Sequence, residues 1–233
     1  MIRSLLFLAK LTLYWLIFLT LNRIIFLITY SGHIPEKKFI EAILSFYYAV
    51  RLDASTIAYL ISFPLMLWAL QQFVKKNFIN HINHYYNLTM IVILSLFLTI
   101  NMIAYGETGT HINHLTLEYI THPMEAFYLL TAWQNIGVVI IVSLVIAFFI
   151  LFFRRMILMV IPFTTNPMWF KIIVIPVLLP LIFFVLRGGI QQQPINKTFA
   201  YYSDVQFFND AAVNPIWLLG HDIAHDEKIN NKP

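Results

Sequence analysis

Three charged residues stand where so apolar a chain has little reason to put them. Arg23 lies beside Asn22 inside an apolar run from Ser4 to Tyr30, and Arg51 and Asp53 flank the start of another at Ala54. A guanidinium can grip a phosphate through two parallel hydrogen bonds, or pair with a carboxylate. An ionisable group within a membrane-length run is costly and marks a functional position by default. Arg23 therefore has two readings: a binding or pairing role, with Glu107 as a candidate partner, or snorkelling to the nearer interface. Arg51 and Asp53, two apart on a helix, do not face each other. The plain reading makes Asp53 a helix cap and Arg51 an anchor. The sharper one has Arg51 holding a lipid phosphate or an acidic loop residue.

The histidines fall in pairs, His81 with His84, His111 with His114, and His221 with His225. The last pair, four apart and next to Asp222 and Asp226, has a spacing that can bind zinc from one helix face. No third ligand is evident, and a solvated polar terminus accounts for it better. There is no cysteine, which excludes disulfides, thiolate metal sites and a cysteine nucleophile. No cofactor is expected within this chain.

The elements that carry these residues follow from composition. Of 233 residues, 60% are hydrophobic and 11% charged, too few polar groups to cover a soluble domain. The net charge of +4 reads as membrane topology rather than nucleic-acid binding. The apolar run after Arg3 is too long for a signal-peptide core, and no small-residue cleavage site follows it. About 20 apolar residues cross a bilayer as a helix. Five segments qualify: 4–30, 54–74, 86–105, 136–153 and 168–186, the last interrupted by Pro176 and Pro180.

Charge orients them. Lys75 and Lys76 lie between the second and third segments, and Arg154 and Arg155 between the fourth and fifth, with Lys171 in the first turn of the fifth and no acid in either connection. The connection from the third to the fourth carries Glu107, Glu118 and Glu125 and no Lys or Arg. Positive-inside then predicts a cytoplasmic N-terminus and an extracytoplasmic C-terminus. Thr121–Phe127, THPMEAF, has the grammar of a helix start, running on through Tyr128 and Trp133. After Arg187, a chain exit at RGGIQQQPIN leads to two short helices. Ser203 and Gln206 fit a capping box for the first, with Val205, Phe208 and Ala212 on one stripe. Asn214-Pro215 opens the second, which carries Ile216, Trp217 and Leu219. Both read as amphipathic interfacial helices. The fold class expected is an all-α membrane protein: five transmembrane helices with interfacial helices on the extracytoplasmic side.

Five spans, VRLDAST opening the second, THPMEAF before the fourth, and RGG...PIN...AYYS...NDAAVNPIWLL after the fifth together resemble the N-terminal membrane domain of the lipoteichoic acid synthase family. These are sulfatase-like proteins of the alkaline phosphatase superfamily. The resemblance covers nearly the whole chain and is most specific from Arg187 to Leu219. It implies a membrane anchor, residues 1–186, and an extracytoplasmic linker, 187–233, ahead of a catalytic domain. In the family that domain holds a divalent metal and a Thr or Ser nucleophile, and transfers a phosphoglycerol-type unit from a lipid headgroup. None of that machinery is visible here, so this chain is expected to be inactive alone. The partners expected are the bilayer of a bacterial inner membrane, an anionic phospholipid headgroup and the catalytic domain, with no nucleic acid. Candidate headgroup or interface residues are Arg23, Arg51, Asp53, Glu107, Arg187 and Trp217. A scaffold acting as it stands is the alternative. A transporter is disfavoured, since the cores of the second, fourth and fifth spans lack ionisable residues.

Overall fold

Long apolar runs fold as helices because the backbone must satisfy its own hydrogen bonds once water is excluded. The structure, a computed structural model, describes residues 2–74, 76–112, 136–156, 166–191 and 193–230. Its helices are α1 (Ile2–Thr29), α2 (Phe39–Val74), α3 (Asn77–Thr108), α4 (Ile136–Met156), α5 (Met168–Leu186), α6 (Gln206–Ala212) and α7 (Pro215–Asn230). Short 3-10 turns lie at Ser31–His33 and Lys197–Ala200, and no strand occurs among the described residues. Four helices are long and apolar enough to cross a membrane: Leu5–Thr29 within α1, then α2, α3 and α5. The chain is an all-helical membrane protein.

Polar side chains inside these helices mostly bond back one turn. Thr12 donates to Leu8 O, Asn22 to Phe18 O, Thr56 to Leu52 O and Thr99 to Ser95 O, at 2.8–3.0 Å. Such bonds hide a donor within its own helix. The middle of the bundle is aromatic. Trp15 and Phe18 of α1, Trp68 of α2, Phe149 of α4 and Phe170 of α5 are all buried in one cluster. Phe18 meets Phe149 edge-on at 4.9 Å, and Tyr14 stacks near Phe152. Ile146 packs instead with Phe26 and Met102, so α4 runs antiparallel to α1.

Two helices are longer than their apolar runs. The 54–74 segment is the lower part of α2, which starts at Phe39. Asp53 is thus mid-helix and caps nothing. Helix α3 likewise exceeds 86–105 at both ends. Contacts with α5 show which part of α2 matches a bilayer. Ser55 Oγ donates to Leu186 O at 2.7 Å, and the Lys171 ammonium sits 5.1 Å from the Phe73 ring centre. From Ser55 to Phe73 is 18 residues, about 27 Å at the helical rise, near the ~30 Å of a hydrocarbon core. Residues 39–54 carry α2 on by about 24 Å. Beyond that stretch, α2 and the residue before it meet the C-terminal segment: Tyr48 stacks on Tyr202 at 4.4 Å, and Lys38 pairs with Asp204 at 2.5 Å. That hydrogen bond holds the Asp204 carboxyl below its usual range.

Helix α6 is no loose amphipathic strip. Residues Phe207–Ala212 are all buried, against α1 and α2. The Ser203–Gln206 capping box does not form. Ser203 Oγ bonds Glu41 instead, while Asn209 Oδ1 accepts the Tyr202 and Ser203 amides, both at 2.9 Å. THPMEAF, with Tyr128 and Trp133, lies outside the described residues.

Candidate functional site

Helical geometry sends Arg51 and Asp53 to opposite sides of α2, about 200° apart. Asp53 faces inward and meets Arg23 of α1. The guanidinium binds the carboxylate with both ends of its fork, Nη1 to Oδ2 at 2.7 Å and Nη2 to Oδ1 at 3.0 Å. Both residues are buried, 7% and 3% exposed. Glu107, the partner entertained for Arg23, is exposed on the last turn of α3 and is not part of this contact. Arg23 does not snorkel, because a carboxylate comes to it.

The C-terminal segment completes the pair. Arg23 Nε donates to Ala211 O at 2.8 Å, and Asn214 Nδ2 donates to Asp53 Oδ1 at 2.7 Å. Asn214 also caps α7, its Oδ1 accepting Ile216 N at 3.0 Å and Trp217 N at 3.1 Å. One amide therefore fixes both the start of a helix and its place on the bundle. Trp217, expected at an interface, is buried among Leu52, Ile195, Ala212 and Val213; its ring stacks on His221 at 4.7 Å.

A second network adjoins the first. Asp210 accepts from Tyr105 Oη at 3.0 Å and Gln206 Nε2 at 2.7 Å. Its carbonyl faces His111 Nε2 at 2.9 Å, and His111 Nδ1 lies 3.0 Å from Asn101 Nδ2. The tautomer follows. Asn101 Oδ1 accepts Ile112 N at 3.0 Å, so its Nδ2 must point at the imidazole and donate. Nδ1 is then an acceptor, and Nε2 carries the proton and donates to the carbonyl. A second proton on His111 would set two donors against each other.

Burial lowers the His111 pKa; Asp210, through its carbonyl and its charge, opposes this without reversing it, and the Arg23 charge adds a smaller push downward. As pH falls below about 6.5, the ordinary imidazole value, the unfolded chain takes the proton first. Stability is complete above that pH and declines as pH drops from there toward the folded value. Melting in detergent at pH 7.5 and 5.5 checks this. Wild type should lose more stability on acidification than His111→Gln, whose amide can donate and accept in the same places. Equal losses in both would contradict the assignment.

Between these networks is a cavity of about 40 Å³, lined by Asn22, Arg23, Asn101, His111, Asp210 and Asn214 among apolar neighbours. That volume admits roughly two or three waters. Its charged and polar side chains are held in the two networks, so the arrangement acts as a clamp. Among the described residues no cluster of three His, Asp or Glu could hold a metal. His221 Nδ1 lies 3.5 Å from Asp222; the side chain of His225 lies outside the described residues. Deeper in the bundle, Trp15 Nε1, both amide atoms of Gln71, Asn87 Oδ1 and Ser95 Oγ are buried without a hydrogen-bond partner among the described residues. Each costs about 1–3 kcal/mol unless water reaches it.

Of the residues singled out in the sequence, Arg23 and Asp53 come together, and Trp217 packs near them. Arg51 and Arg187 lie elsewhere, on the far side of α2 and at the end of α5, and both are exposed. Asn101, His111, Asp210 and Asn214 were not anticipated as a site. Only Asn214 had a local signal, its place before Pro215. Compared with known proteins, the chain matches no family model, no curated protein and no solved structure.

Proposed function

We propose that this chain is the membrane domain of a sulfatase-like phosphotransferase resembling lipoteichoic acid synthase, anchoring and seating a catalytic domain at the outer face of a bacterial inner membrane. The observation that carries the reading is the lock at Arg23. The segment most specific to the resemblance, Arg187 to Leu219, is bound to α1 and α2 through buried charge-assisted bonds. A linker held this rigidly suits a domain that must be positioned over a lipid surface. Helix α4 supplies the fifth crossing in this reading, supported by its antiparallel packing on α1. An odd number of crossings separates the two ends of the chain, and the positive-inside bias then assigns Arg3 and the α2–α3 connection to the cytoplasm, with α6 and α7 outside as a shelf on the bundle.

The alternative, a scaffold acting as it stands, has one observation in its favour: every bond of the lock comes from this chain. Sequencing the DNA beyond the codon for Pro233 separates the two. An in-frame or frameshifted sulfatase-like domain supports the first; an unrelated neighbouring gene removes it. Sidedness is open to test because the natural chain has no cysteine. Cysteine placed at Gln193 should react with a membrane-impermeant maleimide on spheroplasts, and cysteine at Asn77 only after permeabilisation. The opposite pattern would invert the topology.

A further inference from the structure

The face of α2 opposite Asp53 carries the other arginine. The Arg51 guanidinium lies 4.8 Å from the Phe199 ring centre, and its Nη2 donates to Gln191 Oε1 at 2.9 Å. Gly189 lies against the same group: a Cβ there would sit 3.8 Å from Nη2. The ring and the amide therefore fix a side chain that remains exposed, and among the described residues one of its five N–H donors is engaged in a hydrogen bond. No carboxylate reaches Arg51 among the described residues. Asp53 is turned inward to Arg23, and Glu41 and Asp204 are held by Lys38. The loop that frames Arg51 adds positive charge and no negative. From Arg187 to Ser203 there are two cations, Arg187 and Lys197, and no acid.

Depth and apolar surroundings point to the kind of anion. The loop is pinned at its start by Ser55 to Leu186 O and closed by Ile195 N to Arg187 O at 3.1 Å. It therefore leaves α5 where the bilayer-length part of the bundle ends, which is headgroup depth. Ile190, at its tip, is 92% exposed, an apolar side chain suited to acyl chains rather than water. A fixed, unpaired fork of N–H donors beside a membrane-facing apolar tip has the chemistry of a phosphodiester site at a lipid surface.

We infer that Arg51, set between Phe199 and Gln191 beside the Gly188–Gly189 turn, binds the phosphodiester of an anionic phospholipid headgroup. This rests on the membrane reading above, but not on the presence of a catalytic domain.

The full chain, reconstituted in nanodiscs of equal phosphatidylglycerol and phosphatidylcholine and released for native mass spectrometry, provides the test. Wild type should retain phosphatidylglycerol preferentially. Arg51→Ala should lower that preference roughly tenfold, and Arg51→Lys less, since an ammonium lacks the planar fork. Melting temperature reports folding in parallel. If Arg51→Ala does not fold, Arg51→Gln is read in its place, because it removes the charge and keeps a donor for Gln191. Preference equal to wild type in a folded variant overturns the site. Loss of bound lipid on adding millimolar inorganic phosphate or glycerol 1-phosphate would overturn the lipid assignment in favour of a soluble oxyanion; retention supports the lipid. Only bound lipid is counted, so failure here leaves the anchoring role standing, and an unrelated downstream gene leaves this site standing.

Discussion

Replacing Arg23 by methionine is expected to cost about 3–5 kcal/mol of stability, the range for removing one partner of a buried ion pair. Asp53, 3% exposed, would keep only the Asn214 amide, and Ala211 O would lose its donor. Asp53→Leu should cost a similar amount, since it strands a guanidinium. The two losses should not add. Arg23→Met with Asp53→Leu removes both charges together, and the double variant should be more stable than either single one. Unfolding of the three variants and wild type in one detergent measures the coupling. Single-variant losses under about 1 kcal/mol, or strictly additive ones, would mean that the pair is solvated and not a lock.

A second large loss is expected at Gly188. Its φ of 82° is left-handed, and a Cβ there would lie 2.5 Å from Ile195 Cβ. Ile195 cannot withdraw readily, because its amide bonds Arg187 O and its side chain is buried with Leu52 and Trp217. Gly188→Ala therefore combines about 1–2 kcal/mol of backbone strain with about 1–3 kcal/mol of overpacking. The same melting experiment checks it, with Gly220→Ala as the contrast. Gly220 lies within α7, with nothing within 4 Å of an added Cβ. That change should be neutral or stabilising by up to about 1 kcal/mol. Equal effects at the two glycines would contradict the turn geometry.

Hydropathy located the membrane-length helices because burial in lipid demands one kind of residue over about 20 positions. It failed at their ends. Asp53 and Arg51 looked like the edge of a span, whereas α2 continues through them, one charge paired inward and the other turned out. Spacing alone foretold that the two would not meet each other. It could not supply Arg23 as the partner of Asp53, since that contact joins residues 30 apart across two helices. Pairing with Glu107 looked equally open for the same reason. The Asn214-Pro215 helix start was readable locally, yet the bond from Asn214 to Asp53 spans 161 positions and leaves no local trace. His111 was one of several paired histidines, and what distinguishes it from His81 is enclosure by Asn101 and Asp210.

The distance along the chain between the two halves of the lock also sets an order of events during biosynthesis. Arg23 and Asp53 leave the ribosome early, while Ala211 and Asn214 follow roughly 160 residues later, about 8–30 s at ordinary elongation rates. Through that interval the last two ligands of the ion pair have not yet been made. The joint can close only once Asn214 has been added, so a product arrested or released before that codon lacks the bond to Asp53.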